Sequence, residues 1–232
     1  MIKDYKSRAI ILSRINYGES DRILTLLTED FGKVKVIAKG IRNQKSKLAS
    51  CVELFSLSQI MFRPGRNEIG RLIGGELKVF FDQILLDIDR VQMGYRLLKV
   101  LDRGTEDKTD NEYFLIMLQT LTALNNLKLD LNLINGWFYG QMLVLAGYKP
   151  NLITTLSGDK LNEKKNYDFD FDNFTFYCSD KSNDYSVNDI KFLRLMFSVN
   201  NPTILGQVEG SSDLMVKLLP MIQTMFSHYI RV

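Results

Sequence analysis

The sequence predicts an α+β chain, a small antiparallel β-barrel followed by a mostly helical domain. Two observations carry that prediction. Over the first eighty residues apolar side chains recur with a period of two and glycines punctuate the runs, and near Val79 the period changes to that of a helix. A third observation concerns charge. Residues 1–80 hold 15 Lys or Arg against 8 Asp or Glu, and the remainder holds 15 against 19, so a basic half precedes a mildly acidic one. Asymmetry of this kind points to a polyanionic partner for the basic half and is silent about fold.

The strands are read in order. Ser7 to Ile15 is rich in β-branched and apolar residues, and Tyr17 to Thr28 reads as two short strands around a polar turn at Gly18. In Gly32 to Gly40, Val34, Val36 and Ala38 face one way, while Lys33, Lys35 and Lys39 face the other with Ile37 among them. Leu54 to Phe62 supplies another strand. Gly18, Gly32, Gly40, Gly65, Gly70, Gly74 and Gly75 mark turns and bulges. Gly65-Arg66-Asn67-Glu68-Ile69-Gly70 lacks the Gly-Lys-Ser/Thr ending of a phosphate loop and is predicted to be a hairpin turn. About five short strands at near-even spacing predict an OB-type barrel over residues 1–79.

Residues 80–232 are assigned to a helical domain. Phe81 to Leu101, Glu112 to Leu124 and Leu133 to Leu145 keep helical spacing. Ser186-Val187-Asn188-Asp189 resembles a capping box with Asp in place of Glu, opening a helix through Phe192, Leu195 and Met196. A last helix from about Ser212 carries a stripe of Leu214, Leu218, Met221, Met225 and Tyr229, and Pro220 inside it should bend or break it. The polar insert at 151–185, with Tyr167-Asp168-Phe169-Asp170-Phe171 alternating, is expected to be a loop with one short hairpin or edge strand. Leu131 to Tyr148 is uncharged for 18 residues, but its three Asn/Gln and three Gly favour a buried core helix over a membrane span. Met93, Met117, Met142 and Met196 belong to that helical core, where a groove could receive a partner's apolar tail.

Composition excludes several chemistries. One histidine, His228, leaves little material for a catalytic triad or a hydrolytic metal site. Asp87 and Asp89 would diverge on a helix, and Asp168 and Asp170 lie on the polar insert, so neither pair is read as a Mg²⁺ site. No catalytic residue, metal or cofactor is expected. Cys51 and Cys178 are too few for a disulfide framework, and the first residues lack the apolar run of a signal peptide; a cytoplasmic location is expected.

What remains is the basic run. Phe31 to Val52 carries Lys33, Lys35, Lys39, Arg42, Lys45 and Lys47 and no Asp or Glu. These six are the candidate nucleic-acid contacts, joined by Arg22, which is open between an ion pair with Asp21 and a phosphate contact. Six such contacts to a single strand would give a slope of log K against log[salt] of about −4. Phe31, Phe55 and Phe62 are candidates either for base stacking or for barrel core, Phe31 leading because it sits at a turn beside Lys33.

Tyr17-Gly18-Glu19-Ser20-Asp21-Arg22-Ile23-Leu24-Thr25-Leu26-Leu27-Thr28 resembles the signature of the RecO family of bacterial DNA repair and recombination proteins. So do Gly32-Lys33, Ala38-Lys39-Gly40 with Arg42, and Lys45-Ser46. In the helical half, Gly147-Tyr148-Lys149-Pro150-Asn151-Leu152 is similar to the family's Gly-Tyr-x-Pro-x-Leu element. The resemblance implies an OB-fold followed by helices and a protein without catalytic chemistry. It implies binding of single- and double-stranded DNA and annealing of complementary strands. It also implies work with RecR, contact with the acidic C-terminal tail of the single-strand-binding protein, and help in loading RecA. Many members carry a zinc site of two Cys-x-x-Cys pairs after the Gly-Tyr-x-Pro element. Here the pairs read Thr155-x-x-Gly158 and Cys178-x-x-Lys181, so the zinc knuckle is expected to be lost and the insert held by packing of Phe169, Phe171, Phe174 and Phe176. Two rivals stand beside this reading. One is an RNA-binding barrel, separable by competition between matched DNA and RNA strands. The other is a nuclease, separable by incubating labelled DNA with Mg²⁺ or Mn²⁺.

Overall fold

A computed structural model describes residues 3–65, 69–105, 110–178 and 184–230. The chain divides into two compact units, residues 1–127 and 128–231. The first contains the barrel. Its strands are β1 (Tyr5–Tyr17), β2 (Asp21–Thr28), β3 (Gly32–Ala38), β4 (Ser56–Arg63) and β5 (Ile69–Phe80), closed in the order β1-β2-β3-β5-β4. Every neighbouring pair is antiparallel except β3 and β5, which run parallel over Lys35 to Ile37. This is the expected OB-type barrel. Residues 66–68, the centre of the expected Gly65–Gly70 turn, lie outside the described residues.

The period-two pattern sorts the barrel wall as the sequence predicts. Ala9, Ile11, Leu24, Leu26, Val36, Ala38, Ile60, Phe62 and Leu72 fill the interior. The outer face is less simple. After a short 3-10 turn (Asp82–Leu86) come helices α1 (Ile88–Gly104) and α2 (Asn111–Leu124), and both pack against the outside of β1, with α2 also touching β2. Ile10, Leu27 and Leu57 are absent from the interior cluster yet buried. Strands give way to helices after Phe80, and the compact unit continues through α2. Phe55, just ahead of β4, holds a left-handed backbone (φ 58°) that a phenylalanine adopts only under constraint. Its buried ring lies against Gly94 and Tyr95 of α1.

The second unit is built on α3 (Leu131–Leu145), α4 (Val187–Ser198) and α5 (Ser211–Tyr229). Asp130 caps α3, its side chain accepting from the amides of Asn132 and Leu133. The uncharged 131–148 stretch is core: Leu133 to Gly140 are buried without a break. Gly136 and Gly140, one turn apart, let α5 and α4 approach, since a Cβ there would meet the side chains of Met215 and Met196 at 2.2 and 2.8 Å. Among the described residues no helix is long and apolar enough to cross a membrane. The capping box is present as read: Ser186 Oγ accepts from the Asp189 amide, and the Asp189 carboxylate accepts from the Ser186 amide. The last helix runs through Pro220 without a break. Pro220 is exposed and so is Val216, whose carbonyl loses its partner, so water can reach it.

The insert departs from expectation. It forms a four-stranded sheet of β6 (Asn151–Thr155), β7 (Asn166–Asp170), β8 (Thr175–Tyr177) and β9 (Tyr185–Ser186), ordered β6-β8-β7-β9, where a single hairpin or edge strand was expected. Phe169 contacts the rings of Phe171, Phe174 and Phe176 at 5.1, 6.4 and 5.0 Å. Tyr148 and Tyr229, from outside the insert, extend the cluster through Phe174 at 5.9 and 4.4 Å. At Thr155 and Gly158 there is a hydrogen-bonded turn, the Gly158 amide donating to Thr155 O at 2.9 Å. Cys178 is exposed, and Lys181 lies outside the described residues.

Candidate nucleic-acid interface

The site is built on the β1–β2 hairpin and the loop that follows β3. Register sets the first part. Arg22 stands opposite Asn16 on β1 and Ala38 on β3, at the barrel end where β3 runs into the loop. Asp21 does not pair with Arg22. Its carboxylate accepts the Gly40 amide at 2.7 Å, tying the hairpin to the turn after β3. Gly40 has φ +64°, a conformation that glycine adopts without cost. Arg22 Nε instead donates to Asn16 Oδ1 at 3.3 Å. Asp21 is therefore a structural anchor, and Arg22 is left as a cation at the rim.

The loop from Lys39 to Val52 is a chain of tight turns. The amides of Asn43, Ser46 and Ala49 donate to the carbonyls of Gly40, Asn43 and Ser46 in turn, each three residues back. Ile41, Leu48, Cys51 and Val52 pack into the barrel core and hold the loop down. Lys39, Arg42, Lys45 and Lys47 remain exposed. The Arg42 amide and guanidinium donate to Ser20 O and Gly18 O at 2.9 and 3.3 Å, so the loop is fastened to the hairpin tip from both sides.

Four cations elsewhere on the barrel are held by carboxylates. Arg8 pairs with Glu29, Arg14 with Glu53 at 2.5 Å, Arg63 with Asp4 at 2.7 Å and Lys78 with Glu76 at 2.7 Å. The Arg63 hydrogen bond holds the Asp4 carboxyl below its ordinary pKa, and Arg8 does the same to Glu29. Among the described residues, Arg22, Lys35, Lys39, Arg42, Lys45 and Lys47 take part in no ion pair. Cations left without carboxylates keep their full charge for an outside anion.

Lys33 is a correction. The strand alternation read from the sequence is right, but this lysine is only 8% exposed. Its Nζ donates to Asp102 O at 2.8 Å and Thr105 O at 2.5 Å, at the carboxyl end of α1. There an ammonium satisfies orphan carbonyls and meets the negative end of the helix dipole. It is a clamp between barrel and helix and takes no part in the exposed patch. Lys35 is exposed on the outer wall, partway along β3 and apart from the loop.

Two residues not singled out in the sequence join the site. Arg71 on β5 pairs in register with Ile37 across the parallel seam, two positions beyond Lys35. It is exposed and, among the described residues, in no ion pair, so Lys35, Arg71 and Lys39 step along one seam at about 7 Å intervals. Tyr17, beside the hairpin glycine, is 54% exposed. An aromatic immediately before a turn glycine was the available signal for it. Of the stacking candidates, Phe55 and Phe62 are core, at 2% and 4% exposure, and Phe31 is partly open at 38%. Asp87 caps α1 by accepting from the amides of Asp89 and Arg90, and Asp170 accepts from the amides of Asp172 and Asn173 in a turn.

A closed five-stranded barrel with unpaired cations at one rim and along one seam defines the chain as an OB-barrel protein with a basic face. A family model described as "Recombination protein O N terminal" matches residues 1–81. The DNA repair protein RecO of Dehalococcoides mccartyi is 31% identical over 208 residues, covering 87% of this chain and 81% of that protein. Those of Halalkalibacterium halodurans and Roseiflexus sp. are 30% and 34% identical over 149 and 150 residues. Each of these two matches covers 64% of this chain but only 58% and 52% of the relative's length. The chain belongs to the RecO family.

Proposed function

We propose that this protein is a non-enzymatic mediator of DNA repair and recombination in the cytoplasm. It binds single- and double-stranded DNA through the barrel, anneals complementary strands, and works with RecR to help load RecA. One observation carries the DNA-binding part: among the described residues the cations of the Lys39–Lys47 loop, with Arg22, take part in no ion pair, while Arg8, Arg14, Arg63 and Lys78 are paired. Two strands held by such a patch have part of their mutual repulsion neutralised, and counterion release drives their binding. The family supplies the repair role. In the second unit, a groove of about 420 Å³ lined by Lys149, Pro150, Leu152, Ile153 and Arg194 supports docking of the acidic, apolar-ended tail of the single-strand-binding protein.

The test is charge reversal. Lys35, Lys39, Arg42 and Lys45 replaced together by Glu should abolish annealing while the protein stays folded. A folded variant that anneals at the wild-type rate would refute the assignment.

A further inference from the structure

We propose that the end of the barrel opposite the basic loop receives one unpaired nucleobase of a bound strand. This rests on the reading of the barrel as a DNA-binding module and adds a base-recognising element to a phosphate-binding one.

β3 leads from Phe31 and Gly32 at one end of the barrel to Lys39 at the other, a path of about 20 Å. At the Phe31 end lies a cleft of about 440 Å³, lined by Tyr5, Phe31, Val34, Lys35, Phe62 and Pro64 among others. That volume falls in the range of small-ligand sites. Its walls are rings and aliphatic groups. Phe31 meets Tyr5 edge-on at 4.8 Å and Phe62 at 5.8 Å, and Tyr5 stacks on Phe62 at 5.8 Å. Phe62 is buried, whereas Phe31 keeps 38% of its surface open. An aromatic held by two neighbours at a cleft mouth offers a pre-set face, so little side-chain entropy is lost on stacking.

Charge selects the occupant. Among the described lining residues the one charged side chain is Lys35, which is exposed and in no ion pair. A cleft walled by rings and aliphatic groups, with an exposed lysine among its lining residues, fits a base carrying a phosphate. It does not fit a lipid tail, which needs length, and a carboxylate side chain would meet the lysine while leaving the ring-lined wall unfilled. Arg71 and Lys39 continue the same seam toward the loop, giving the flanking phosphates a path. A duplex keeps its bases stacked and cannot use the cleft. A strand opened for pairing can.

The natural chain has one tryptophan, Trp137, which is 1% exposed. Phe31→Trp therefore places a single solvent-accessible indole at the mouth. Oligo(dT) should quench its emission, and an abasic oligonucleotide with the same number of phosphates should not. Phe31→Ala should weaken oligo(dT) binding by roughly five- to 150-fold, the range set by stacking one base, and leave abasic binding and the salt slope unchanged. Lys35→Gln should weaken both ligands alike. Equal quenching by the two oligonucleotides, or a Phe31→Ala variant with wild-type affinity for oligo(dT), overturns the base site alone and leaves the basic loop standing. A wild-type protein that binds neither oligonucleotide overturns both readings.

Discussion

Lys33 offers the sharpest separation of a structural lysine from a DNA contact. Replacing it with Met keeps the length and the apolar stem beside Leu27, its cross-strand partner, and removes only the ammonium. Two carbonyls, Asp102 O and Thr105 O, then lose a charged donor. Hydrogen bonds to charged groups are each worth about 1.5–3 kcal/mol net, and the relieved desolvation of a buried ammonium offsets part of that sum. A net loss of about 3 kcal/mol is expected, which for a unit of this size lowers the melting temperature by roughly 10 °C. Circular dichroism melts measure this directly. A fluorescence-anisotropy titration below the transition should give wild-type DNA affinity and salt slope. Unchanged stability together with weaker binding and a flatter salt slope would refute the argument, because it would make Lys33 a phosphate ligand.

Other predictions concern the scaffold. Gly94→Ala builds a Cβ 2.6 Å from Cε1 of Phe55, whose ring is fully enclosed and cannot swing away. Overpacking should cost about 1–3 kcal/mol, more than the gain in helix propensity, and lower the urea midpoint without altering DNA affinity per folded molecule. Burial alone would raise the Asp189 pKa, but the Lys217 ammonium and the Ser186 amide and hydroxyl outweigh it and hold the carboxyl below the usual 3.8. A depressed folded-state pKa contributes stability above 3.8 that is lost as pH falls through the lowered value. Asp189→Asn should therefore melt earlier than wild type at pH 7, by about 1–3 kcal/mol, and the two curves should converge below pH 3.8. A gap that widens in acid would contradict the capping-box account.

Much of the fold was legible because its signals are local. Val34, Val36 and Ala38 face inward as their alternation dictates, and Ser186 with Asp189 opens α4. The misread parts depend on what lands on an element from far along the chain. Period two distinguishes the inside of a barrel from its outside, and cannot tell that α1 ends over Lys33. Arg71 is a lone charge between glycines in sequence, and only the parallel β3–β5 register sets it beside Lys35. In the insert, the alternation at Tyr167 to Phe171 was visible. However, β8 and β9 have three and two residues, too few to show a period. The aromatic cluster borrows Tyr148 and Tyr229 from outside the insert, at 4.7 Å from each other, so no local window contains it.

The claim that free cations on the barrel hold the phosphate backbone is tested most directly by salt dependence. Lys39, Arg42, Lys45 and Lys47 replaced together by Gln should flatten the slope of log K against log[salt] for a single strand by about 3, at about 0.7 per lost contact, in a protein that remains folded. A slope that stays at the wild-type value would place the phosphates elsewhere on the molecule and contradict the account.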